Sequence, residues 1–116
     1  MKYLLMIYDD EKARAALAEP ERKELTGRYT ALIKELVAKG VYLGGEPLEP
    51  TSTAQSVRVR DGKTQLVDGP FAETREQLGG YFLIEASSLA EATSIAARIP
   101  ASSVGTIEVR ALAHHE

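Results

Sequence analysis

The sequence has no cysteine and no tryptophan, and both of its histidines, His114 and His115, lie at the C-terminal end. The missing cysteine excludes disulfide frameworks, thiolate metal sites and cysteine nucleophiles. Without histidine in the body of the chain, the commonest metal ligand and the usual acid–base group near neutral pH are gone as well. No metal and no cofactor are therefore expected; His114-His115 could hold a divalent cation weakly, but a tail is the plainer reading. Basic residues are not in excess: 14 against 17 acidic ones give a net charge of −3, so no nucleic-acid partner is expected. Apolar runs stay well short of the ~18 residues of a membrane span, and no membrane partner is expected. The apolar start Met1–Tyr8 is followed at once by Asp9, Asp10 and Glu11 instead of a small-residue cleavage site, which predicts a cytoplasmic protein.

What remains is an ordinary globular balance. Of 116 residues, 44% are hydrophobic and 27% charged, which suits a single domain over residues 1–116. A chain of that size buries roughly two-thirds of its unfolded surface, enough for a core without staples.

Residues 2–8 are β-prone, with Tyr3, Leu5 and Ile7 on one face and Leu4, Met6 and Tyr8 on the other. A short helical piece is expected between Asp9 and Glu19. The spacing of Leu25, Tyr29, Leu32, Ile33, Leu36 and Val37 draws one apolar stripe and predicts a helix over Glu21–Lys39, with Gly40 in a left-handed C-cap. Val41-Tyr42-Leu43 reads as a short strand. Gln55–Arg60 alternates, Asp61-Gly62 is hairpin-turn chemistry, and Thr64–Val67 should return antiparallel. The stretch 68–80 is a punctuated connection with room for one helical turn. Tyr81–Ala86 is a second strand apolar on both faces. Ser88-Leu89-Ala90-Glu91 is a capping box, and Leu89, Ala92, Ile95, Ala96 and Ile99 form the stripe of a helix that Pro100 stops. Thr106–Leu112 alternates as a last strand.

This order predicts an α+β domain, a ferredoxin-like β-α-β-β-α-β plan with an extra β-hairpin. In that plan both helices cover one sheet face. Apolar side chains on the other face of 2–8 and 81–86 would be left wet, and a patch of that kind marks an interface. A homodimer through the sheet face is expected, with an apolar small-molecule ligand on that face as the alternative.

The segment from Val59-Arg60-Asp61-Gly62-Lys63 through Asp68-Gly69-Pro70-Phe71-Ala72-Glu73-Thr74-Arg75-Glu76-Gln77-Leu78-Gly79-Gly80 to Tyr81-Phe82-Leu83-Ile84 resembles the DGPF-domain branch of the YCII-related proteins. The likeness extends to Met1–Tyr8, to Gly44-Gly45-Glu46-Pro47-Leu48 and to Ile107-Glu108-Val109-Arg110. It implies a ferredoxin-like fold assembled as a dimeric α/β barrel. Some YCII relatives use a histidine–aspartate pair in lyase-like or dehalogenase-like chemistry. The position of that histidine in the long helix is held here by Tyr29, so that chemistry does not carry over. The resemblance also implies a regulatory context, because DGPF genes neighbour those of extracytoplasmic-function sigma factors.

Several residues could carry chemistry. Asp68 could act as a general base or ligand anchor, though Asp-Gly-Pro is turn chemistry first. Glu73, Arg75 and Glu76 could orient a polar substrate, with Arg75 gripping a carboxylate; a solvated surface, or a cap on a short helical turn from Thr74 to Gln77, is the plainer reading. Phe71 either anchors its loop in the core or lines a pocket. If two of Arg58, Arg60 and Arg110 share a face they could make an anion site, against cross-strand pairing with Glu108 or Glu85. Tyr29 could donate a proton but is a poor base, and core packing would explain it. Gly44-Gly45 and Gly79-Gly80 match no phosphate loop and point to permissive backbone or close approach of another chain. With no nucleophile–base pair in view, the sequence favours a small dimeric metabolite-binding or accessory module over an enzyme. The alternative is a lyase-like or hydrolase-like enzyme using Asp68 as acid/base, with Tyr29 and an arginine in positioning roles.

Overall fold

The computed structural model describes residues 1–113; the terminal His114-His115 pair, considered above for metal binding, lies outside them. The elements are β1 (Lys2–Asp9), α1 (Glu11–Ala15), α2 (Glu19–Ala38), β2 (Tyr42–Pro47), β3 (Gln55–Arg60), β4 (Lys63–Asp68), β5 (Gln77–Glu85), α3 (Leu89–Arg98) and β6 (Thr106–Ala111). Strands β2, β5, β1 and β6 form one antiparallel sheet in that order, while β3 and β4 form a separate two-stranded sheet. This is a ferredoxin-like α+β topology with a hairpin inserted between its second and third sheet strands. No helix among the described residues is long and apolar enough to cross a membrane.

Each helix starts where its chemistry allows. Asp10 caps α1, its carboxylate accepting from the backbone N–H groups of Lys12 (2.9 Å) and Ala13 (3.3 Å). Pro20 sits in the first turn of α2, and Gly40 closes it at φ +72°. Ser88 caps α3 by accepting from the Glu91 N–H at 3.1 Å. The Glu91 carboxylate reaches back to the Ser87 N–H at 3.0 Å, one residue earlier than a regular capping box would place it.

The core lies between one sheet face and the two long helices. Tyr3, Leu5 and Ile7 from β1 and Phe82 and Ile84 from β5 meet Leu32 and Leu36 of α2 and Ala92, Ile95 and Ala96 of α3. Two stripe residues depart from expectation: Val37, in the last turn of α2, and Leu89, at the start of α3, are exposed. The expected helical turn at Thr74–Gln77 does not form. Residues 70–76 are bends and irregular backbone, and Gln77 already begins β5, so that Gly79-Gly80 lie inside a strand.

On the opposite face, Leu4 lies across from Leu83 and Met6 from Tyr81, with Arg110 and Glu108 flanking them on β6. Leu4, Met6, Tyr8, Tyr81 and Leu83 are half-buried. The molecule is flat, 48 × 47 × 18 Å, with a radius of gyration of 16.2 Å against about 13 Å for a compact chain of this length.

Candidate functional site

Side chains alternate along β1, so the series that buries Tyr3, Leu5 and Ile7 continues to Asp9. The last residue of the strand therefore puts a carboxylate on the core side, where it is only 9% exposed. Beside it the β1–β5 register shifts between Ile7↔Gly80 and Tyr8↔Leu78, leaving Gly79 as an extra, bulged residue. The chain turns at Asp10 into α1, which brings Arg14 back over this end of the sheet. Gly79 makes room for it: a Cβ there would lie 2.8 Å from Arg14 Nη1.

Arg14 Nη1 is 3.2 Å from Asp9 Oδ1 and 3.3 Å from Oδ2. Its N–H points at Oδ2, so Oδ1 is a buried acceptor in an ion pair but with no hydrogen-bond partner among the described residues. Burial pushes the Asp9 carboxyl above the usual range. Arg14 pulls it down, and Glu11, Glu76 and Asp10 push it further up.

The pair closes one end of a cavity of about 530 Å³ between α2, β2 and β5. Its walls are mostly apolar and aromatic. Phe82 packs edge-on against Tyr29 (centroids 6.4 Å apart) and Tyr42 (5.3 Å). Leu25 and Ile33 come from the stripe of α2 and Val104 from beyond α3. Gly45 is as constrained as Gly79, since a Cβ there would sit 2.5 Å from the Tyr81 carbonyl and 2.6 Å from the Tyr42 hydroxyl. Burial raises the Tyr29 phenol above its ordinary value, against the opposing pull of the Ala101 backbone and of Arg14 and Arg28. Tyr29 is thus a protonated donor at neutral pH and not a base.

The residues singled out by sequence are divided by this geometry. Tyr29 lines the cavity just described. Phe71, Glu73, Arg75 and Glu76 come together on a second, more open groove of about 980 Å³ beneath the loop that follows β4. Phe71 is 81% exposed there, so it anchors nothing within this chain. Asp68 lines neither cavity. It sits exposed at the end of β4, accepting from Gln55 Nε2 across the hairpin at 3.2 Å. The chain therefore does not bring Asp68 and Tyr29 into one pocket. Arg58 and Arg60, two residues apart on β3, share one face of the hairpin, whereas Arg110 projects from β6 of the other sheet, so the three do not combine on one face. Arg110 lies 4.0 Å from Glu108, whereas Glu85 pairs with the N-terminal ammonium at 3.4 Å. The paired glycines serve close approach of side chains and backbone within the chain itself: Gly45 of Tyr42 and Gly79 of Arg14.

Asp9, Arg14 and Tyr42 were not among the sequence-derived candidates. The signal for Asp9 is strand parity: a carboxylate two residues beyond Ile7 falls on the core face and needs a partner. Among the described residues no three of His, Cys, Asp and Glu cluster as a metal would require.

A YCII-related domain model matches residues 1–115. The chain belongs to the YCII family. An uncharacterized protein of Rhizobium meliloti (strain 1021) is 36% identical over 115 residues, covering 97% of this chain and 93% of its own length. The family match runs across β1, α1, α2 and β5, so every residue of the Asp9–Arg14 cavity belongs to the YCII domain.

Proposed function

We propose that this YCII chain is a dimeric small-molecule-binding module whose ligand occupies the cavity between α2, β2 and β5. One observation carries the reading: a mostly apolar, aromatic-lined space of about 530 Å³ has on its wall the Asp9–Arg14 pair, which is incompletely hydrogen-bonded, with Glu46 the other charged residue lining it. That combination of greasy walls and a few polar groups is how small-ligand sites are built. Asp68 has no part in it, because it is exposed and engaged with Gln55. The sigma-factor context implied by the DGPF resemblance fits such a module as a cytoplasmic sensor of its ligand.

The dimer is the second half of the proposal. The open sheet face carries Leu4, Met6, Tyr81 and Leu83 half-wet, and a second copy laid over it would bury them in an isologous barrel.

Two measurements test these halves separately. Light scattering after size exclusion is expected to give about 25 kDa, twice 12.6 kDa, falling to the monomer mass in Leu83→Glu. A 12.6 kDa species for the unaltered protein would overturn the dimer. For the cavity, small aromatic fragments at millimolar concentration should shift the ring resonances of Tyr29 and Tyr42. Ile33→Trp, which fills the space, should abolish those shifts; fragments that bind equally well to Ile33→Trp would place the site elsewhere.

A further inference from the structure

We infer that the cavity ligand is a monocarboxylate with an apolar, ring-sized body, and that Arg14 is the residue that grips its carboxylate. This rests on the binding reading above and adds the chemistry of the ligand.

The argument starts from the guanidinium. Arg14 carries five N–H donors in a rigid fork, yet among the described residues it makes one hydrogen bond, Nη1 to Asp9 Oδ2 at 3.3 Å. Charge-assisted bonds of this type are ordinarily about 2.7–2.9 Å long, so this is a loose engagement. The side chain is 34% exposed and forms part of the cavity wall. It comes from α1, which has no buried residue to fix it. Four donors are therefore available on the wall of a mostly apolar space, whose other charged residue, Glu46, is exposed.

Asp9 offers a ligand much less. Its free oxygen, Oδ1, is a buried atom with essentially no accessible surface, so an incoming ammonium or hydroxyl cannot reach it without rebuilding the strand end. The anchor on offer is a donor fork, and the group that matches a fork is a planar carboxylate held bidentately. The hydroxyl of half-buried Tyr29, protonated at neutral pH, stands on the same cavity as a further donor. The body of the ligand then lies along Tyr29, Tyr42 and Phe82, whose edge-on packing presents ring edges and faces to a flat or aliphatic group. Asp9 is in this arrangement a competitor for Arg14 that holds the fork in place until a ligand arrives.

The test compares three probes with one body: 3-phenylpropionate, 3-phenylpropan-1-ol and 3-phenylpropylamine, titrated calorimetrically into the full-length protein. The acid is expected to bind at least about tenfold more tightly than the alcohol, the scale of one charged hydrogen-bonded pair. Arg14→Gln should bring the acid down to the level of the alcohol. Arg14→Lys, which keeps the charge and loses the fork, should retain part of the preference. Asp9→Asn should tighten the acid severalfold by releasing the competitor. Arg14 lies on the surface of α1, so its variants should keep the far-ultraviolet dichroism of the parent.

The inference is overturned if the amine is preferred and Asp9→Asn abolishes it, because Asp9 is then the anchor. It is equally overturned if all three probes bind alike and Arg14→Gln changes nothing, in which case the cavity stands and the ligand class falls. Should none of the three move the Tyr29 or Tyr42 rings, the cavity reading itself fails.

Discussion

Leu5 and Ile84, on the two central strands of the large sheet, have no exposed surface, whereas Val57, Val59, Leu66 and Val67 on the β3–β4 hairpin are 58–60% exposed. Both regions are strands that carry apolar residues, on both faces in β1 and β5 and in alternation with polar ones in β3. The difference lies in what the connections bring over each strand. β1 and β5 each have a strand on either side, and α2 and α3 lie over one face of both. The hairpin closes tightly through Asp61 (φ 52°) and Gly62 (φ 72°), but among the described residues no third strand joins it. A two-stranded ribbon alone is marginal in water. Its root is held by Ser56 Oγ donating to the Gly69 carbonyl (2.9 Å) and by Glu11, whose carboxylate accepts from the Thr51 N–H and hydroxyl (2.8 Å each). Alternation thus dictates that a strand forms, while the fold decides whether anything covers it.

The contrast breaks most visibly in the core. Leu5→Ala removes a fully buried side chain and should cost about 3–5 kcal/mol of unfolding free energy. Leu66→Ala on the hairpin should change stability by no more than about 0.5 kcal/mol. Urea denaturation of both variants at one protein concentration checks the pair. Equal losses would show that the hairpin is covered in solution, and a loss at Leu66 that grows with concentration would identify a second copy as the cover.

Two adjacent glycines sharpen the same comparison inside β2. A Cβ on Gly45 would drive into the Tyr81 carbonyl and the Tyr42 hydroxyl, whereas one on Gly44 meets nothing within 4 Å. Gly45→Ala should therefore destabilise by about 1–3 kcal/mol through overpacking, with Gly44→Ala neutral or slightly stabilising through the unfolded state. Gly45→Ala should also weaken fragment binding, because Tyr42 must move. If the two variants melt alike, β2 has slack on its helix side and the cavity wall is softer than its distances suggest.

Much of this fold was legible because local and global signals agree. The α2 stripe, the Asp61-Gly62 turn, the Ser88 cap and the two-faced apolar run of β1 each name one structure. The misreadings share a cause: they depend on neighbours that composition does not encode. Gly79-Gly80 look like loop punctuation, yet they belong to β5, since Leu48 N–H bonds the Gly79 carbonyl at 2.8 Å and Arg14 occupies the space a side chain would fill. The candidate site was legible only at Tyr29. The conspicuous 68–76 segment drew attention to Asp68, Phe71 and Arg75, but its polar groups face solvent or an open groove. Asp9 and Arg14 are five residues apart across a turn, and their pairing over a glycine bulge in a distant strand is a tertiary fact. Strand parity alone could have flagged Asp9.

The smallest effect lies on the outer surface of the packed half, where Glu35 of α2 is 2.5 Å from Arg98 Nη1 of α3 and 3.3 Å from Lys39 Nζ. Hydrogen bonds from Arg98 and then Lys39 hold its carboxyl at about 2, below its ordinary 4.5. A folded-state value that is depressed means the group supports folding when ionised. That support is complete above about pH 4.5 and is lost as pH falls toward 2. Asp9 has the opposite sign: its raised value means that protonation favours the folded state, so its burial weighs on stability only as pH rises through that value. The two are separable by variant. The stability gap between the parent and Glu35→Gln should be open at neutral pH and close on acidification, and added salt should shrink it, because the pair is exposed. For Asp9→Asn the gap should instead favour the variant at neutral pH and vanish in acid. A Glu35→Gln gap that is flat between pH 6 and pH 2 would mean that α2 and α3 are joined by the Leu36, Ala92 and Ile95 packing alone, with the surface clasp contributing nothing.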